Sequence, residues 1–219
     1  MEKIFKSEFF VTLAVMAAAL FLHKIFRVSD NFQTIAATIS FLFLIPVLYI
    51  KIILKKPLKN FGMRIGDFKK GILYAIFSSV IFAAVFYFLS AKFDFFGKYV
   101  VPAHIVDNFT YFVYREVLVV GFFLALYEFF FRGFTLFYFY DKFKSGIYAV
   151  LFQTVLFLAF LALVNSFNWS TLPYMVMAPL AGLVAYKSNS ILYSFLLSWI
   201  SILILDSISV KIIIDSVIK

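Results

Sequence analysis

The chain has 219 residues, 64% of them hydrophobic and only 14% charged. A soluble domain carries about 45–50% apolar and about 25% charged residues, so this chain lacks the polar surface to stay in water and reads as an integral membrane protein. The net charge of +9 does not point to nucleic acid, because the basic residues gather between apolar runs, where membrane topology explains them.

The expected fold class is all-α, a polytopic transmembrane helical bundle of about seven spans, within six to eight, with the lipid bilayer as its first partner. The apolar runs are continuous rather than alternating, which excludes a membrane β-barrel. No stretch is long and polar enough for a separate soluble domain, so residues 1–219 are expected to form a single integral-membrane domain. There is no cysteine, and His23 and His104 are the only histidines. Disulfides and thiolate metal sites are therefore absent, and no cofactor or metal is expected. Phe contributes 33 residues, which read as lipid-facing bulk.

Taken in chain order, the apolar windows predict spans at 9–27, 34–54, 71–91, 109–140, 146–165, 171–187 and 189–206. The first follows Lys3 and Lys6 like a signal peptide. However, Phe21, Leu22, His23 and Lys24 follow its alanines without a small-residue cleavage site, so it reads as a retained anchor. The loop between the second and third spans holds Lys51, Lys55, Lys56, Lys59, Arg64, Lys69 and Lys70. Placing it in the cytoplasm also puts Lys3, Lys6, Lys142, Lys144 and Lys187 inside. That is twelve basic residues against six on the other side (Lys24, Arg27, Lys92, Lys98, Lys211 and Lys219). The bias predicts a cytoplasmic N-terminus, and the Lys- and Phe-rich, cysteine-free character suggests a bacterial inner membrane. The fourth span is long enough to tilt or to contain two pieces. The tail from Ser207 to Lys219 alternates apolar and polar residues, which suits an interfacial segment or a short extra helix.

Glu128 and Arg132 stand inside the fourth span, four residues apart and therefore on one helix face. Each alone would cost about 3 kcal/mol near the bilayer centre. Together they can pair, either as a structural bridge or as a functional site facing a cavity, and the bare residues leave both readings open. Arg115 and Glu116, near the outer end of the fourth span, are expected to snorkel or to pair at the interface, and Asp206, near the end of the seventh, reads as interfacial. Gln153 is expected to bond a neighbouring helix.

The run Tyr127-Glu128-Phe129-Phe130-Phe131-Arg132-Gly133 resembles the first motif, Glu-Glu-x-x-x-Arg, of the CPBP family of CAAX prenyl proteases and bacteriocin-processing proteins, also called Abi. Two flanking segments are similar as well. Phe61-Gly62-Met63-Arg64 and Gly66 to Gly71 resemble the approach to the third span, and Pro179 to Tyr186 with Ser190-Ile191-Leu192 resembles the approach to the last motif. The resemblance covers roughly 61–205, leaving 1–60 as two N-terminal spans and 206–219 as a tail. It implies a polytopic membrane peptidase, in which a glutamate activates water while two later histidines and an Asn or Asp polarise the substrate, hold the oxyanion or bind a metal where one is used.

The chain departs from that pattern in all three motifs. Tyr127 replaces the first glutamate, leaving Glu128 and Arg132. The second motif, Phe-x-x-x-His, is met by Phe157 and Leu161. The third, His-x-x-x-Asn or Asp, is met by Ser198 and Ile202. No histidine follows His104, so both motif histidines are missing whatever the alignment. The resulting expectation is a family member without the standard catalytic activity, binding a hydrophobic or lipidated peptide or another membrane protein. The alternatives are an active endopeptidase with a divergent site at Glu128, helped by Tyr127 or Ser198, and a membrane transport component.

Overall fold

The computed structural model describes residues 2–26 and 31–217, with side chains described for 8–26, 32–103 and 105–216. The expectations for Lys3, Lys6, Arg27, Lys219 and the His104 side chain lie outside these. Every long element is a helix. The first, α1, is Glu2–Phe26. The second, α2, covers 31–53 and alternates α and π turns around Pro46, whose missing N–H breaks the regular ladder. The others are α3 Phe68–Phe93, α4 Phe109–Phe143, α5 Gly146–Leu163, α6 Leu172–Ser188 and α7 Ile191–Val217.

Six of these are long and apolar enough to cross a membrane. The remaining predicted span, 171–187, corresponds to α6, which has 17 residues. Two sequence expectations change. The fourth span is one continuous helix, with π turns over Arg115–Val120 and Phe129–Thr135. The tail, as far as it is described, is not a separate helix, because α7 runs on unbroken to Val217. Its mixed polarity fits that course: Leu205, Asp206 and Ser209 are buried while Ile208 and Ile212 are exposed.

Local signals start and stop the helices. Asp67 caps α3 by accepting the Lys70 N–H at 3.0 Å, which holds its carboxyl below the ordinary range. Asn108 caps α4 through the Tyr111 N–H. Asp94, Lys144 and Asn189 take left-handed conformations after α3, α4 and α6, which turn the chain at once.

Two aromatic cores hold the bundle. One packs Met16, Leu20, Leu42 and Ile50 from α1 and α2 against Phe130, Phe131 and Phe134 of α4. The other joins Phe82 and Phe86 of α3 to Phe95, Tyr99, Leu197 and Leu205. Phenylalanine therefore fills the interior as well as the outer face, where Phe10, Phe77 and Phe88 are exposed. Burying a large aromatic ring fills the space between helices that share no polar contact.

The two segments flanking the motif meet at one end of the bundle. The Gly62 carbonyl accepts the Ile191 N–H at 3.0 Å and the Ser188 carbonyl accepts the Asp67 N–H at 2.7 Å. The Arg64 Nε donates to the Asn189 carbonyl at 2.9 Å. Gly66 sits at φ +68°, and a Cβ there would strike the Ser188 carbonyl. Glycine is needed at that position by conformation and by space alike. At the same end Lys56 bridges to Asp141 at 2.8 Å, tying the basic loop to the end of α4.

Candidate functional site

A cavity of about 410 Å³ lies between α2, α4, α5, α6 and α7. Its α4 wall is a continuous stripe: Arg115, Val119, Val120, Phe123, Leu124, Tyr127, Glu128 and Arg132. In a pure α-helix each i,i+4 step turns the face by about 40°, so over this distance the stripe would rotate away from the cavity. The π turns at Arg115–Val120 and Phe129–Thr135 hold more residues per turn and wind the stripe back onto one face. Sequence reasoning with a single helical period had no means to detect this.

All six motif positions line this cavity: Tyr127, Glu128, Arg132, Leu161, Ser198 and Ile202. Leu161 comes from α5, and Ser198 and Ile202 come from α7, so three separated stretches converge on one space. Where the family pattern asks for imidazole or amide groups, this cavity presents a leucine, a hydroxyl and an isoleucine.

Glu128 and Arg132 are almost fully buried, at 1% and 3% exposure. They pair, but loosely: Arg132 Nη1 stands 3.7 Å from Glu128 Oε1. The short bonds to the carboxylate come from α7. Ser194 donates to Oε2 at 2.7 Å and Ser198 to Oε1 at 2.9 Å. Both carboxylate oxygens are thus held by hydroxyl donors. The Arg132 guanidinium lies over the Phe157 ring, 5.2 Å from its centroid, and its Nε has no hydrogen-bond partner among the described residues. Ser194 was missed from the sequence. The signal was present in the four-residue spacing of Ser190, Ser194 and Ser198, which gives α7 a polar stripe.

Toward its other end the cavity meets a second charged cluster. Arg115 binds the Glu116 carboxylate and reaches Asp206 of α7 at 3.1 Å. Tyr99 donates to Asp206, and burial together with Asp206 raises the Tyr99 phenol above its ordinary pKa. Arg115 and Glu116 pair, one of the two expectations for them, and Asp206 joins the pair; Glu116 is 0% and Asp206 3% exposed. They are buried because the long α7 carries Asp206 alongside α4, where the charges neutralise each other in part. Trp199 adds a bond to the Glu116 carbonyl at 2.9 Å.

The other polar residues have structural places. Gln153 donates to the Ala178 carbonyl of α6 at 2.9 Å, the interhelical bond expected of it. His23 is buried behind the wall, 3.1 Å from Thr38 Oγ1 and edge-on to Phe160. Among the described residues no group of three or more His, Cys, Asp or Glu comes together to hold a metal.

Residues 110–201 match the family model described as type II CAAX prenyl endopeptidase, Rce1-like. That stretch, under half of the chain, is similar to the CAAX protease family. It spans the α4 wall and the Ser194 and Ser198 donors, and it ends one residue before Ile202. The chain is a CAAX protease-like protein of the membrane, built as a polytopic helical bundle. No curated protein and no solved structure matches it.

Proposed function

We propose that this CAAX protease-like protein keeps the substrate cavity of its family and uses it to bind, rather than cleave, a hydrophobic or lipidated peptide. One observation carries the reading. The single remaining motif glutamate, Glu128, has both oxygens engaged by Ser194 and Ser198 and faces Arg132, while Leu161 and Ile202 stand on the wall where the family chemistry needs histidine and Asn or Asp. Amide hydrolysis requires a base free to take a proton from water and donors aimed at the developing oxyanion. A carboxylate saturated by two hydroxyl donors and paired with a cation is a poor base. The apolar space around it meanwhile suits an extended hydrophobic chain. The twelve-to-six bias of basic residues supports a cytoplasmic N-terminus in a bacterial inner membrane.

The test is a paired cleavage and binding assay. Purified wild type and Glu128→Gln are incubated with a prenylated CAAX peptide, as the free acid for cleavage and C-terminally amidated for binding, and with a library of amidated hydrophobic peptides, with and without chelator. The expected result is no cleavage by folded protein, together with saturable peptide binding that Leu124→Trp, which fills the cavity, removes. Cleavage that Glu128→Gln abolishes would overturn the reading in favour of a divergent endopeptidase.

A further inference from the structure

The cavity wall carries a charge pattern that selects among hydrophobic ligands. Along α4 the lining runs from Arg115 to Arg132, about 25 Å at about 1.5 Å per residue. A cavity of about 410 Å³ drawn out along that stripe is an elongated space, which suits an extended chain. At the inner end the Arg132 guanidinium is short of acceptors. Its approach to Glu128, 3.7 Å, is longer than a hydrogen bond, and its buried Nε has no partner among the described residues. The Arg132 side chain itself lines the cavity, so a ligand acceptor there can meet a guanidinium with no close acceptor among the described residues.

The formal charges decide what kind of acceptor. Glu128 and Arg132 balance each other at the inner end. Toward the other end Arg115 faces two carboxylates, Glu116 and Asp206, so no cation there is left over for an entering anion. A carboxylate entering the cavity would pass that cluster and stop beside Glu128 in a medium of low dielectric. An uncharged carbonyl would accept from Arg132 without that repulsion.

We propose that the cavity takes a single extended apolar chain whose inner polar group is an uncharged carbonyl bonded to Arg132, and that it rejects ligands ending in a free carboxylate. The proposal rests on the binding reading above and names the ligand chemistry of that site. Ester and amide carbonyls share this chemistry, and the test separates them.

Full-length protein in nanodiscs of zwitterionic lipid is titrated at pH 7 with a fluorescent hydrophobic peptide amidated at its C-terminus and with its free-acid twin. Palmitoyl methyl ester and palmitate serve as competitors. The amide or the ester, or both, bind at least tenfold more tightly than the matching acid. Preference within the peptide pair alone assigns a peptide amide, and within the lipid pair alone an acyl ester. Glu128→Gln removes the negative neighbour, so the acid probe gains at least tenfold relative to the neutral probe. Misfolding cannot produce that gain. Arg132→Leu weakens the neutral probe about tenfold. Acids that bind as tightly as their neutral twins in both wild-type pairs, or an unchanged ratio in Glu128→Gln, overturn the proposal and leave the binding reading standing. Failure of every probe to bind overturns both.

Discussion

The two charged sites along the cavity solve one problem in different ways. The inner site is intrahelical: Glu128 and Arg132 are one turn apart on α4, balanced in charge, and trimmed by serines from α7. The outer site ties separate elements together. Arg115 and Glu116 of α4, Asp206 of α7 and Tyr99 of the connector before α4 share one network, and Arg115 is 25% exposed. A buried charge must be neutralised in either place. The inner solution leaves the guanidinium with spare donors facing a cavity. The outer one spends its cation on two carboxylates and clamps the bundle. The inner site is therefore placed to meet a ligand, and the outer one to hold helices in register.

The sharpest way to break this comparison is to remove the inner cation. Arg132→Leu should destabilise the folded protein by about 3–5 kcal/mol, because it strands a buried carboxylate. Replacing Glu128 and Arg132 together by leucine should lose less. Unfolding by denaturing detergent in mixed micelles measures both, and a double-mutant cycle without coupling would show that the pair does not act as one.

Next in size is Arg115→Leu. It strands two carboxylates, but partial solvent access reduces the loss to about 2 kcal/mol. Its effect should add to that of Arg132→Leu, since the residues lie far apart and share no partner. Strong coupling between them would merge the two sites into one network.

Ser194→Ala and Ser198→Ala each remove one hydroxyl donor to a buried carboxylate and should cost about 1–2 kcal/mol. Both should also loosen Glu128, so exchange of the wall backbone followed by hydrogen–deuterium exchange should rise in α7 around the substituted serine.

The smallest effect belongs to Tyr99→Phe, about 1 kcal/mol at neutral pH. The folded state raises the Tyr99 phenol, so its contribution is complete below the unfolded pKa of about 10 and fades as pH climbs beyond it. The wild type should lose stability in that alkaline range relative to Tyr99→Phe. Parallel pH profiles for the two would remove Tyr99 from the outer network.

Much of this was legible one residue at a time. The apolar windows located the helices, and the spacing of Glu128 and Arg132 placed both on one face. Tyr127, Leu161, Ser198 and Ile202, chosen by motif order, do line one cavity. The joining of Asp206 to Arg115 and Glu116 was not legible, because position within an apolar window says nothing about which helix stands opposite. Asp206 reads as the end of a span until α7 is seen to continue for a further eleven residues to Val217. Phenylalanine was misread for a related reason, since its transfer out of water is equally favourable toward lipid and toward a protein interior.

By itself, then, the sequence determined the all-helical membrane class, the places of the long helices and the absence of motif histidines, because these follow from composition and local spacing. Tertiary structure decided which charges meet. Ser194 and Ser198 reach Glu128 across 66 and 70 residues of chain, and Asp206 reaches Arg115 across 91. It also decided that the stripe from Arg115 to Arg132 stays on one wall. That depends on π turns stabilised by packing against neighbouring helices, and a periodicity read along one strand of sequence carries no term for such neighbours.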